Sequence, residues 1–352
     1  MRIFYNHGIY LYYVGIFIFS FFNIKAKKWW DGRKGEFQKY SFLFNTKEKI
    51  AWFHSASLGE FEQGRTVIEN FKLQHPSYKI LLTFFSPSGY EVRKNYSGTD
   101  FILYLPIDTP FQAKKFIEMV HPDIVFFIKY EFWFNYLKIL HDKQIPVYLI
   151  SGIFRPQQHF FKVYGAWYRN QLKHFTHFFV QDDATMLLLQ SIGLTNVTVS
   201  GDTRFDRVIE IANAKKSFPL IEKFITNHAI LIAGSSWEAD EDILIDYMKS
   251  GDPGLRYIIA PHEIDNERIN KLQQKLPFAS LLFSDVNEEN VKGAKILIIN
   301  NIGILSHLYQ YANIAMIGGG FGKGIHNILE AVAFGNPVLF GPNYHNFQKQ
   351  IS

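Results

Sequence analysis

The 352-residue chain has no cysteine. A disulfide framework, a zinc-thiolate site and a cysteine nucleophile are therefore excluded, and a reducing compartment fits. It has no internal repeat and no low-complexity segment. No uncharged apolar run reaches the ~20 residues needed to span a bilayer core. Three familiar motifs fail on inspection. A P-loop needs glycine where Ile317 stands, and Ser or Thr where Gly324 follows Lys323. The dinucleotide spacing G-x-G-x-x-G, started at Gly318, puts Lys323 at its third glycine. His262-Glu263 opens an H-E-x-x-H test that Asn266 fails, so metal-independent chemistry is expected.

What is present is apolar and aromatic: 47% hydrophobic and 17% Phe, Trp and Tyr, with a formal charge of +5. Such a balance suits an anionic substrate, a membrane surface or nucleic acid. The first residues narrow the choice. Ile9 to Ile24, "IYLYYVGIFIFSFFNI", carries no charge and is followed by Lys25, Lys27, Lys28, Arg33 and Lys34 around Trp29 and Trp30. At about 16 residues the run is short for a span, but Trp and Lys flanks are interfacial anchors. Cations that follow the run, with no small-residue cleavage site, argue against a signal peptide. The expectation is a membrane-anchoring helix over 1–28, spanning or lying in the surface, rather than a buried helix. A nucleic-acid partner is not expected, because the positive charge sits beside the apolar run.

From Lys49 on, short apolar runs alternate with helical patterns. Strands are expected at Ile50–His54, Ile80–Phe84, Phe101–Leu105, Ile124–Ile128, Val147–Ile150, Phe178–Val180 and Val197–Ser200. Helices are expected between them, as at Glu60–Gln74, Pro110–Val120 and Asp183–Ile192. After a polar stretch the alternation resumes at Ile230–Gly234, Tyr257–Ala260, Ala279–Phe283, Ile296–Ile299, Ile314–Ile317 and Pro337–Phe340. This pattern predicts two doubly wound Rossmann-like domains, 29–212 and 213–352, with ligands outside the carboxyl ends of their strands. The second is short, and the chain ends on a helical start without a stop signal, so C-terminal helices are expected to be missing.

Two places invite chemistry. "IGGGFGKGIHNILEAVAFGNPVLFGP", from Ile317, turns from a strand into a helix expected near His326. Glycines let amides approach a ligand, and a helix start favours an anion. Gly318, Gly319, Gly320, Lys323, His326 and Asn327 are candidates for a phosphate, and Glu330 for a ribose diol. A tight packing turn is the plainer alternative. Asn343, His345 and Asn346 follow at the expected cleft mouth. The second place is "WFHSASLGEFEQG", where Gly59 and Glu60 begin a helix after a strand. A carboxylate there commonly just answers the helix dipole, which lowers its pKa. A general base near neutrality needs burial to offset that. Glu131, with Trp133 and Asn135, follows another strand end and suits a sugar or acyl-bearing acceptor, or merely a helix start.

Taken in order, "HSASLGE", "TFFSPSGYE", "YLPIDTP", "HPDIVFFIKYEFWFN", "SGDTRFD", "AGSSWEADED" and "GGGFGKGIHNILEAVAFGNPVLFGPNYHNF" resemble the 3-deoxy-manno-octulosonate (Kdo) transferases of lipopolysaccharide synthesis. The resemblance implies a GT-B glycosyltransferase with no cofactor or metal. It implies inverting transfer of Kdo from CMP-Kdo to a lipid A precursor of lipid IVA type, at the cytoplasmic face of the inner membrane. Glu60 maps to the family's proposed general base. Ser57, Gly59, Glu131, Trp133 and Asn135 fall on the acceptor side. Arg204, Ser235, Ser236, His262, the 318–320 glycines, Lys323, His326, Asn327, Glu330 and Asn346 fall on the donor side. The chain departs from the family at Lys129, where an acidic residue is common. It departs again at Pro261-His262-Glu263-Ile264, where Pro-Arg-His-Pro is common, so His262 stands in for an expected arginine. Another lipid-linked GT-B enzyme with a different donor, or a non-catalytic membrane scaffold, remains an alternative reading.

Overall fold

A computed structural model describes residues 1–44, 47–214, 216–251, 254–322 and 324–344. The chain divides into two compact units, Met1–Arg204 and Phe205–Ser352. The division falls inside the helix Thr203–Ala214, a few residues before the expected boundary between 212 and 213.

The first unit holds β1 (Lys49–Ser55), β2 (Tyr78–Phe84), β3 (Phe101–Tyr104), β4 (Ile124–Ile128), β5 (Val147–Gly152), β6 (His177–Val180) and β7 (Val197–Val199). They form one parallel sheet in the order β3-β2-β1-β4-β5-β6-β7. The second unit holds β8 (Ala229–Ser236), β9 (Leu255–Pro261), β10 (Ser280–Leu282), β11 (Ile296–Ile298), β12 (Ile314–Ile317) and β13 (Val338–Phe340). Their order is β10-β11-β9-β8-β12-β13, again parallel. Each expected strand is present, with ends displaced by a residue or two.

The strands read as unbroken apolar runs because both sheet faces are covered. In β1, Trp52 joins the core on one face with Leu81 and Phe127, while Phe53 joins the other with Leu82 and Phe126. In β8, Ile230 and Ile232 face one core and Leu231 and Ala233 the other. Strand order reverses between β1 and β4 in one sheet and between β8 and β12 in the other. Each reversal opens a crevice at the carboxyl ends of the two strands, where doubly wound sheets bind ligands.

The N-terminal run is two helices, α1 (Arg2–Phe19) and α2 (Ile24–Asp31), bent by 119° at their junction. Asn23 makes the bend: its side chain accepts from the amides of Lys25 and Ala26 and caps α2. No single described helix is long and apolar enough to cross a membrane. One edge of α1 is latched to the first unit. The Tyr5 hydroxyl donates to Asp108 at 2.6 Å, and the Tyr5 ring packs on Phe134. The opposite edge is exposed, including Phe4, Leu11 and Ile18, followed by Phe21 and Phe22. Trp29 and Arg33 correct the sequence reading. Neither is an outward anchor: Trp29 is only 4% exposed, and the Arg33 guanidinium lies 3.9 Å over its ring. Arg33 donates to the carbonyls of Trp29, Phe85 and Leu105, which ties α2 to the sheet edge.

Candidate functional site

At the first reversal, the end of β1 delivers Ser57 as the N-cap of the helix Leu58–Gln74, with Glu60 in its first turn. Glu60 Oε2 accepts from the Ser57 amide at 2.9 Å and the Ser57 hydroxyl at 3.1 Å, closing a capping box. Among the described residues Oε1 receives no hydrogen bond, so one carboxylate oxygen is held and the other is open. Burial raises the Glu60 pKa, and the nearby charge of Glu131 raises it further; the Ser57 bonds and His54 oppose the rise without cancelling it. The helix dipole alone would have pushed the other way. Gly59 is exposed, and a Cβ there would meet no atom within 4 Å. The fold does not itself require glycine at this position.

Glu131 follows β4 and is nearly buried. Its Oε2 lies 3.0 Å from His54 Nε2 and accepts from the Trp133 indole N–H. His54 Nδ1 in turn reaches the Thr83 hydroxyl at 2.8 Å, which also accepts from the Trp52 indole. Asn135 has a different occupation. At 1% exposure, it donates from its amide nitrogen to Asp108 and from its side chain to Asn6 and to the Asp108 carbonyl, and it accepts from Arg2. It ties α1 to the sheet, and all three of its N–H groups are engaged within the protein.

Lys129 closes the same edge in a left-handed conformation, φ 70°, with its amide bound to the Ile150 carbonyl. Burial lowers its pKa, and the nearby Arg204 charge lowers it further. Arg204 itself belongs to this unit and is clasped by both oxygens of Asp202. The expected donor cation is thus placed beside the edge that carries Glu60.

At the second reversal, β8 ends in Ser235, φ 52°, and Ser236, and β12 ends in the glycine turn. A Cβ on Gly318 would sit 2.2 Å from the Ser235 carbonyl oxygen, and one on Gly320 would sit 2.4 Å from the Gly341 nitrogen. Close approach of backbones, not only of a ligand, demands these glycines. Their amides are partly committed. Gly318 N donates to the Gly234 carbonyl, and Gly319 N donates to Asp240 Oδ2 at 2.8 Å. Asn343 braces the turn through the Gly320 and Gly322 carbonyls. The helix begins at Leu329, later than expected, because residues 324–328 are irregular and the Asn327 side chain accepts from the Leu329 amide. Asn327 also donates to Glu330. Ser236 is buried against Glu241, which pairs with Arg268.

Trp237, His262 and His326 stack beside the turn. The His262 ring lies 4.7 Å from Trp237 and 4.4 Å from His326, nearly parallel to both. Lys323, His345 and Asn346 lie outside the described residues. Among the described residues no cluster of three or more His, Asp or Glu side chains is placed to hold a metal ion. Sequence reasoning missed His54, Trp237 and Asp240. The available signal was a histidine within an apolar strand, and a Trp-x-x-Asp directly after a strand end.

Two parallel doubly wound sheets, with polar groups at both reversals, define a GT-B protein. The chain belongs to the 3-deoxy-D-manno-octulosonic-acid transferase (kdotransferase) family, whose model it matches over residues 28–207. It is therefore an enzyme, a glycosyltransferase of lipopolysaccharide synthesis. It is 28% identical to the 3-deoxy-D-manno-octulosonic acid transferase of Aquifex aeolicus, over 84% of this chain and 76% of that one. It is 26% identical to that of Rickettsia prowazekii, over 87% and 67%. Among solved structures, UDP-GlcNAc 2-epimerase from Neisseria meningitidis bound to UDP-GlcNAc shares the fold, with TM-score 0.54 and 15% identity over 83% of this chain and 82% of that one.

Proposed function

We propose that the chain moves Kdo from CMP-Kdo to a lipid A precursor of lipid IVA type, inverting the anomeric centre and using no metal or cofactor. The observation that carries this reading is Glu60: an open Oε1 at a strand-order reversal, with proton affinity raised by burial and by Glu131. An acceptor hydroxyl is a weak nucleophile and needs a base within hydrogen-bond reach. Oε1 removes its proton as the oxygen attacks the anomeric carbon. The bond to the CMP phosphate breaks, and the phosphate leaves with the electron pair. The first unit supplies the base and the acceptor contacts Ser57 and Trp133. The second supplies the donor grip. With the Gly318 and Gly319 amides committed, charge on the departing phosphate falls to His262, His326 and Lys323, and Glu330 takes the ribose.

The acceptor reaches the enzyme from the cytoplasmic face of the inner membrane, against the exposed apolar face of α1. A groove of about 480 Å³ at the junction of α1 and α2, lined by Ile16, Lys25, Lys28, Trp29, Glu91 and Val92, suits an acylated sugar with a cationic rim for its phosphate. CMP release from CMP-Kdo and a lipid A precursor tests the whole reading. Glu60→Gln is expected to lower kcat by about 10²–10⁴-fold. No turnover of CMP-Kdo by the parent would refute the donor; equal turnover by the variant would refute the base.

A further inference from the structure

The indole N–H of Trp237 donates to Nε2 of His326 over 2.9 Å. Indole nitrogen is a donor only. His326 Nε2 must therefore carry a lone pair, which makes the imidazole neutral with its single proton on Nδ1. Among the described residues Nδ1 has no hydrogen-bond partner.

The surroundings agree. Partial burial lowers the His326 pKa and the adjacent His262 ring lowers it further, while the Asp240 carboxylate opposes them. These are the titratable groups that face the ring among the described residues; Lys323 of the same turn lies outside them. The geometry is fixed from both sides. The Trp237 amide donates to Asp240 Oδ2 at 2.9 Å, the same oxygen that holds the Gly319 amide. The His326 amide donates to the Gly318 carbonyl at 3.1 Å. The ring lies against the turn, so that a Cβ on Gly319 would come within 3.2 Å of His326 Cδ2. One carboxylate and one indole thus hold turn and ring as a unit.

We infer that Trp237 is a positioning residue that locks His326 as the neutral Nδ1–H tautomer, so that the donor site meets the nucleotide phosphate with an uncharged hydrogen-bond donor. A neutral donor bonds the phosphate whatever its protonation state. It also holds the departing CMP less tightly than an imidazolium would, which favours product release. The phosphate as ligand rests on the donor-side reading above; the tautomer does not.

Nitrogen NMR of the imidazoles in the full chain reads the lock directly. His326 should show an unprotonated Nε2 and a protonated Nδ1 from neutral to mildly acidic pH. Trp237→Phe should give a mixture of tautomers and a titration moved up toward ordinary histidine, with amide spectra confirming the fold. A protonated Nε2 in the parent, or an unchanged His326 in the variant, would overturn the lock. CMP serves as the binding probe. His326→Asn, whose amide replaces Nδ1–H, should bind within about threefold of the parent, and His326→Gln about tenfold more weakly. Equal losses would overturn the neutral-donor role. An intact lock with no CMP binding by the parent would refute the donor-side reading instead.

Discussion

His54 Nε2 and Glu131 Oε2 stand 3.0 Å apart, both side chains buried, at the strand reversal that also carries Glu60. Two carboxylates thus share one edge in unlike surroundings. Glu131 is held by an imidazole and an indole, whereas Glu60 keeps one oxygen open. Unlike environments are how one site divides its acid and base roles. Because the Glu131 charge raises the Glu60 pKa, Glu131→Gln should lower it. A general base works deprotonated, so the acid limb of kcat/KM should move to lower pH in the variant. A pH–rate profile checks this, and an unmoved limb would show that the two groups are not coupled.

Asp108 gives a stability prediction with a definite sign. Complete burial raises it to about 7, despite bonds from Tyr5 and from the Asn135 and Tyr136 amides. Unfolded, it titrates near an ordinary ~4. Protonated Asp108 is therefore favoured in the fold, and its contribution is full below about pH 4 and lost as pH rises through about 7. Urea midpoints between pH 4 and 8 should fall with pH more steeply for the parent than for Asp108→Asn. Parallel curves would remove Asp108 as the cause.

The sheets were legible in sequence because fully covered parallel strands read as short apolar runs, as at Ile124–Ile128. The roles of single polar residues were less so. Glu60 could be placed at a helix start, but its raised proton affinity comes first from burial and then from Glu131, more than seventy positions away and brought near by the β1–β4 pairing. Asn135 looked available beside Trp133, yet Asp108 and α1 claim it. The same strand pairing hid His54, whose partners Thr83 and Glu131 come from β2 and from beyond β4. For Trp29 and Arg33, composition suggested a lipid interface, and only tertiary contacts turn them inward.

Arg33 should therefore behave as a strut. Its guanidinium satisfies three backbone carbonyls and lies against the rings of Trp29, Phe85 and Tyr104. Arg33→Ala strips those carbonyls of their donor, at a cost of about 2–3 kcal/mol of unfolding free energy. Lysine cannot reproduce a planar fork, so Arg33→Lys should recover less than half. Denaturant unfolding of the three proteins decides. Full recovery by lysine would mean that only the charge matters.

The exposed face of α1 makes the last prediction. Phe4, Leu11 and Phe22 are largely exposed, while Tyr5 and Arg2 fasten the opposite edge. A helix fastened along one edge and apolar along the other suits the plane of a bilayer surface, and Lys25, Lys27 and Lys28 beside it suit anionic headgroups. Vesicles containing anionic lipid should bind the parent, more weakly as salt rises, because exposed charges are screened. Leu11→Asp with Phe22→Asp should release the protein into the supernatant on co-sedimentation without moving its unfolding midpoint, since neither side chain is buried in the fold. Turnover of a water-soluble acceptor should then survive, while turnover of acceptor embedded in vesicles falls. If the double variant still sediments with vesicles, the face of α1 is not what holds the enzyme to the membrane.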